Sequence, residues 1–169
     1  MNRALLASAA LLLLLPVADV VAKSSDRNQA MTIDSGSQSG NMEGNGKTTL
    51  GGGVVVTQGS LEIRSSAAEI YMAGGEISRS VFTGKQVKMK QQMDDGTWMD
   101  AQADRVEYDM KTETITFIGN YTVKSDRGSN SGQRMVYNTK SGNMQSGGDG
   151  TRVRTVIQPK SAAPAQGKN

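Results

Sequence analysis

The chain contains no histidine and no cysteine. The first absence removes the commonest general base and the commonest metal ligand. The second removes thiol nucleophiles, thiolate ligands, disulfides and a bacterial lipid anchor on cysteine. Aromatic residues make up only 4% of the sequence, and no dense run of lysine and arginine is interleaved with them. A base-stacking nucleic-acid surface is therefore not expected. Charge of one sign is also lacking: 19 Lys+Arg stand against 16 Asp+Glu, a formal +3 scattered singly along the chain. The best carboxylate pair, Asp94-Asp95, is followed by Gly96 and reads as a hairpin turn rather than a catalytic couple. No catalytic residue, metal site or cofactor is predicted.

The one long apolar run is at the start. Arg3 precedes apolar residues from Ala4 to Leu15, Pro16 breaks the run, and Val20-Val21-Ala22 supplies a small-residue cleavage site. This is the layout of a secretory signal peptide, and the run is shorter than the ~20 residues of a membrane-spanning helix. The expectation is a signal peptide over 1–22, one domain over 23–157 and a flexible tail over 158–169. Cleavage removes Arg3 and Asp19, leaving 18 basic against 15 acidic residues and the same +3.

Between the ends, alternation with period two dominates, as in half-buried strands. In "TITFIGNYTVK" the residues Ile115, Phe117, Tyr121 and Val123 share one face; Thr114, Thr116, Asn120, Thr122 and Lys124 share the other, with Ile118 the exception. Met31/Ile33, Leu50/Val54/Val56, Leu61/Ile63, Val87/Met89, Val106/Tyr108/Met110, Met135/Tyr137 and Val153/Ile157 repeat the pattern. Glycine-bearing turns follow at Gln58-Gly59, Gly74-Gly75, Asp94-Asp95-Gly96, Asp126-Arg127-Gly128, Ser141-Gly142-Asn143 and Gly147-Gly148. Short strands between such turns predict an all-β fold of hairpins. The parity changes between Ala103 and Val106, which requires a turn or bulge there. "ADRVEYD" (103–109) resembles "GQRMVYN" (132–138), a weak repeat that suggests stacked β layers.

"GNGKTTLGGG" (44–53) ends like a phosphate-binding loop, yet position 41, where that loop needs glycine, is Asn41. Three glycines and then three valines follow, where such a loop would open a helix. Asn45-Gly46 is read as a turn, Lys47–Leu50 as strand, and Gly51–Gly53 as a bulge or close backbone approach.

"QAMTIDSGSQSGNMEGN…TLGGGVVVTQGSLEI", "TGKQVKMKQQMDDGTWMDAQADRVEYDMKTETITFIGNYTV" and "SGQRMVYNTKSGNMQSGGDGTRVRTVIQPK" occur in the order and spacing of the organic-solvent-tolerance (OstA-like) domain family. The resemblance spans nearly all of residues 29–159. It departs at Gln86, where the family usually has proline, and at Met89, where it has an aromatic. The resemblance implies an open, twisted antiparallel β-jelly roll, V-shaped in section, with an apolar interior. It further implies a periplasmic, non-enzymatic bridge that carries lipopolysaccharide between membranes. Implied partners are inner- and outer-membrane components of related fold and further copies of the chain, stacked head to tail.

Alternation and that resemblance together nominate Met31, Ile33, Met89, Tyr108 and Met110 as lipid-lining residues, supported by Val54, Val56, Phe117, Tyr121, Met135 and Tyr137. Methionine suits an adaptable lining, and the chain has ten. The terminal strands, Met31-Thr32-Ile33-Asp34 and Arg152-Val153-Arg154-Thr155-Val156-Ile157, are nominated as unpaired edges that join neighbouring subunits. A β-rich structural or adhesion module without lipid cargo shares the same alternation, turns and export signal.

Overall fold

The computed structural model describes residues 22–159. The predicted signal peptide, apart from Ala22, and the tail beyond Pro159 lie outside the described residues. Ten strands follow a five-residue 3-10 turn at Ser24–Asn28: β1 (Met31–Gly40), β2 (Lys47–Gln58), β3 (Leu61–Ser65), β4 (Ala67–Ala73), β5 (Glu76–Gln92), β6 (Trp98–Asp109), β7 (Thr114–Ser125), β8 (Gly128–Asn138), β9 (Met144–Ser146) and β10 (Arg154–Ile157). All pairings are antiparallel, in the order β1-β2-β3-β5-β6-β7-β8-β10, with β4 also between β2 and β5, and β9 beside β10 on β8. No helix among the described residues is long and apolar enough to cross a membrane.

This single sheet is folded on a crease. Register breaks at Ser35/Ser37 in β1, Thr83/Val87 in β5, Gln102/Arg105 in β6 and Ile118/Tyr121 in β7. The β3–β4 break at Ser66 continues the same line. The predicted irregularity before Val106 is therefore one member of a row of bulges. On one side of the row, Ile33, Val56, Ile63, Met89, Ala101, Val123, Asn130 and Thr155 form a cross-strand rung. On the other, Ala68, Phe82, Val106, Phe117, Met135 and Ser146 form another. These two leaves close on one shared core that includes Leu50, Ile63, Ile70, Phe82, Phe117 and Tyr121. Bulges add local twist and bend; a whole row of them bends the sheet until its apolar faces meet.

The backbone at the crease explains two features of the sequence. Gly36 and Gly52 touch across β1 and β2, and a Cβ on Gly36 would stand 2.8 Å from the Gly52 carbonyl oxygen. Gln86, exposed on the crease, has φ 125°. Proline is locked near −65° and cannot take that conformation. Gln86 thus holds a crease conformation closed to proline, while Met89 is buried in the interior, only 2% exposed. Lys47 begins β2 directly after a turn, so the phosphate-loop look-alike is strand, and Leu50 is fully buried.

The weak repeat does not mark separate layers. Its copies lie in β6 and β8, alternate strands of one meander, where Val106 and Met135 both pair with Phe117, and Tyr108 and Tyr137 both pair with Ile115. Alternate strands of an antiparallel sheet run the same way, so equivalent rungs select equivalent residues.

Turn carboxylates hold the rims. Hydrogen bonds from the Thr97 side chain and amide hold the Asp95 carboxyl below the ordinary aspartate range, and the Thr112 amide does the same for Asp109. A depressed folded-state pKa gives stability that is present above the unfolded value and lost as pH falls toward the folded one. The urea midpoint should therefore drop as pH is lowered from about 6 to about 3. Asp109→Asn should flatten part of that dependence; an unchanged profile in this variant would assign the loss to other carboxylates.

Candidate acyl-chain groove between the leaves

The inward faces meet over a narrow seam. Met31, Ile33, Val56 and Ile63 from one leaf, and Ile70, Phe82, Tyr108 and Met110 from the other, surround a void of only ≈ 10 Å³. That volume holds at most about one water. Four of the nominated lining residues, Met31, Ile33, Tyr108 and Met110, meet here together with Val56. Val54, Met89, Phe117, Tyr121, Met135 and Tyr137 belong to the same core and are each no more than 4% exposed. Burial pushes the Tyr137 phenol above its ordinary value, in keeping with a low-dielectric interior.

Sequence reasoning left Leu61, Ile63, Ile70 and Phe82 out of the lining. Leu61 and Ile63 alternate visibly and could have been included. Phe82 was obscured by adjacent Val81, 1% exposed yet outside the shared core. Val81 pairs with Glu69 and Glu107 on the outer face. There Arg105 bonds Glu107 at 2.7 Å and Lys47 pairs with Glu69, so long charged side chains surround an apolar one.

The groove axis runs along the rungs and across the strands, from β1 to β9 and β10. Its two ends differ. At the first, β1 pairs only with β2 among the described residues, which leaves its outer backbone edge without a described partner beside half-buried Met31 and Ile33. At the second, a cavity of ≈ 180 Å³ lies among Val123, Asn130, Met144, Thr155, Val156 and Ile157. Tyr121 donates its hydroxyl proton to Asn130 Oδ1 at 2.5 Å, and Ser146 from the opposite leaf donates to the same oxygen at 3.1 Å. This polar cluster ties the leaves together at the second end. Among the described residues, every exposed large hydrophobic residue apart from Trp98 lies here: Met144, Val153, Val156 and Ile157, the last 80% exposed. β10 begins at Arg154, so Arg152 and Val153 belong to the preceding loop, not to the strand edge nominated for them. Thr32 and Asp34 pair with Thr57 and Val55, and Thr155 and Val156 with Asn130 and Ser129, each on one side of its strand only.

A creased sheet with one apolar inner face and two edges unpaired among the described residues has close counterparts. The sequence profile of the LptA/(LptD N-terminal domain) LPS transport proteins matches residues 32–143. The chain belongs to this family. The lipopolysaccharide export system protein LptA of Escherichia coli (strain K12) is 30% identical over 154 residues, 85% of this chain and 83% of its own. LptA of Haemophilus influenzae is 32% identical over 148 residues, 85% of each chain. The crystal structure of LptH, the LptA-homologous periplasmic component of the lipopolysaccharide transport device from Pseudomonas aeruginosa, superposes with a TM-score of 0.71 at 23% identity. That match covers 80% of this chain and 99% of LptH. The LptA fold is thus the fold of this chain, an antiparallel β-jelly roll in which the crease makes the two leaves.

Proposed function

We propose that the protein is an exported, periplasmic carrier that shields the acyl chains of lipopolysaccharide between its leaves, and that copies stack head to tail to bridge the two membranes. The observation that carries this reading is one inner face, apolar over six successive strand positions from Ile33 to Val123 and ending at polar Asn130 and Thr155, whose ends coincide with strand edges that are unpaired among the described residues. Family membership supplies the cargo class.

The physical need is large. A twelve-carbon chain loses about 10 kcal/mol of favourable transfer when stripped into water, at ~0.8 kcal/mol per CH₂. A carrier must replace that environment over the whole path. Inward rungs do so within a subunit; between subunits the lining continues only if β9 and β10 of one copy meet β1 of the next. Strand addition at these edges would supply backbone hydrogen bonds. Met144 and Ile157, inward-facing on opposite leaves, would be covered by the neighbour. Such a contact is heterologous and need not close, so it generates chains rather than dimers. No group on the chain supplies energy for movement, so the driving force comes from the membrane partners.

A photo-crosslinking residue placed at Tyr108, Phe117 or Met135 is expected to capture lipopolysaccharide, whereas outward controls at Thr116 and Thr122 are not. Equal capture at both sets, or none at either alongside lipid-free purified protein, would refute the carrier role and favour a structural module of the envelope.

A further inference from the structure

The leaves are not joined only at the crease. The segment from Lys23 to Gln29 crosses between their far rims. The Lys23 backbone nitrogen donates to the Gln92 carbonyl at 3.1 Å. Lys23 Nζ reaches Gln92 Oε1 at 3.1 Å, and the Ser24 amide donates to Asp94 Oδ1 at 2.9 Å. Ser60 donates to the buried Asp26 carboxylate, and Gln58 Nε2 donates to the Gln29 carbonyl at 3.1 Å. All of these anchors belong to the β2–β3 and β5–β6 turns of one leaf. Residues 23–29 hydrogen-bond to the other leaf through a single side chain. Arg27 contacts Glu113 at 2.7 Å and Thr139 at 3.3 Å, in the turns that follow β6 and β8. Among the described residues, hydrogen bonds link these far rims only through this segment. Directly beneath it lie Leu61, Tyr108 and Ile115, around a void of ≈ 20 Å³.

We propose that residues 23–29 form a releasable latch, fixed to one leaf and closed on the other by Arg27, which must let go before acyl chains can part the leaves. The inference rests on the carrier reading for its purpose and on the hydrogen bonds for its mechanism. The asymmetry sets the direction of opening. The first-leaf foot is a set of backbone and side-chain bonds with a buried carboxylate. The second-leaf foot is one ion pair whose side chains are 36% and 30% exposed, screened by water and salt and therefore weak. A latch of this kind swings from the strong foot and keeps the apolar seam shut between loading events. With a seam of ≈ 10 Å³, loading requires the leaves to separate.

The chain has no cysteine, so an introduced pair is unambiguous. In the mature chain, Arg27→Cys with Glu113→Cys removes the closing pair, and a short bis-maleimide then restores it covalently. Uptake of fluorescently labelled lipopolysaccharide is expected to be several-fold faster than wild type before linking and at least about tenfold slower after it. The pair Lys88→Cys with Gln102→Cys, register partners on the outward face of one leaf, should load like wild type when linked. Separately, spin labels at Lys111 and Asp126 should report a longer and broader rim-to-rim distance in Arg27→Ala than in the otherwise native chain, with Arg27→Lys in between. Uptake that is indifferent to the 27–113 link overturns the latch, as does an Arg27→Ala rim distance identical to wild type. Should no form of the protein, wild type included, take up the lipid, the carrier reading fails instead, and the rim distance alone decides whether the latch exists.

Discussion

Gly128→Ala is expected to abolish head-to-tail association while the leaves stay folded. Gly128 opens β8 with φ 141°, and a Cβ there would overlap the Val156 carbonyl oxygen and press on Ile157 Cα. The obstacle is backbone, so no rotamer change relieves it. β10 pairs with β8 through only four residues, Ser131 to Gly128 against Arg154 to Ile157, and should detach. The backbone strain itself costs about 1–3 kcal/mol, a moderate fall in melting temperature. Loss of the terminal edge removes both the strand that a neighbour would extend and the exposed apolar cover of Val156 and Ile157. Sedimentation at high concentration should show wild type forming a concentration-dependent ladder and the variant remaining monomeric. Ile157→Asp separates the two effects: it leaves the β7–β8 turn unstrained yet puts a charge on the 80%-exposed end of the groove, and should also weaken association at least about tenfold, or ~1.4 kcal/mol. Assembly of both variants at the wild-type level would remove β10 from the interface.

Phe117→Ala should lower folding stability by about 3–5 kcal/mol. Phe117 is fully buried, between Val106 and Met135 on its rung. Its rung faces the opposite leaf, so truncation opens a void at the seam rather than at a yielding surface. The loss is a large share of the ~5–15 kcal/mol that stabilises an ordinary domain. Urea denaturation should show the midpoint falling with the slope preserved, as for a change in stability without a change in the surface exposed. The outward neighbour Thr116→Ala should stay within about 0.5 kcal/mol. A Phe117→Ala midpoint no different from that of Thr116→Ala would mean that the leaves are not packed on each other there.

The two variants test different levels of organisation, and the sequence was informative about them to different degrees. Phe117 was legible. It alternates with Ile115, and the four apolar residues of that face, through Tyr121 and Val123, are buried in β7, while Ile118 on the other face is half-buried. Turns written with glycine were legible too, because positive φ is a local requirement. Gly128 was recognised as part of a turn, but its contact with Val156 was not, since that contact joins residues far apart in the chain. Phe82 was missed where an outward valine found its own cover among charged side chains. The repeat of β6 in β8 was seen and misread as layering, since equal rungs in one sheet and equal layers in a stack leave the same imprint on a sequence.

Alternation, turn chemistry and the missing histidine and cysteine determined by themselves that this is a sheet protein with one apolar face, and they left no side chain for imidazole or thiol chemistry. Those properties depend on neighbours one or two positions away, which a sequence states directly. Tertiary structure alone decided that the bulges align into one crease, that the two halves of each long strand turn their apolar faces onto each other, and that a short segment near the start laces the far rims. Each depends on register between strands distant in sequence, where a single-residue slip reverses every side chain, and no local pattern records it.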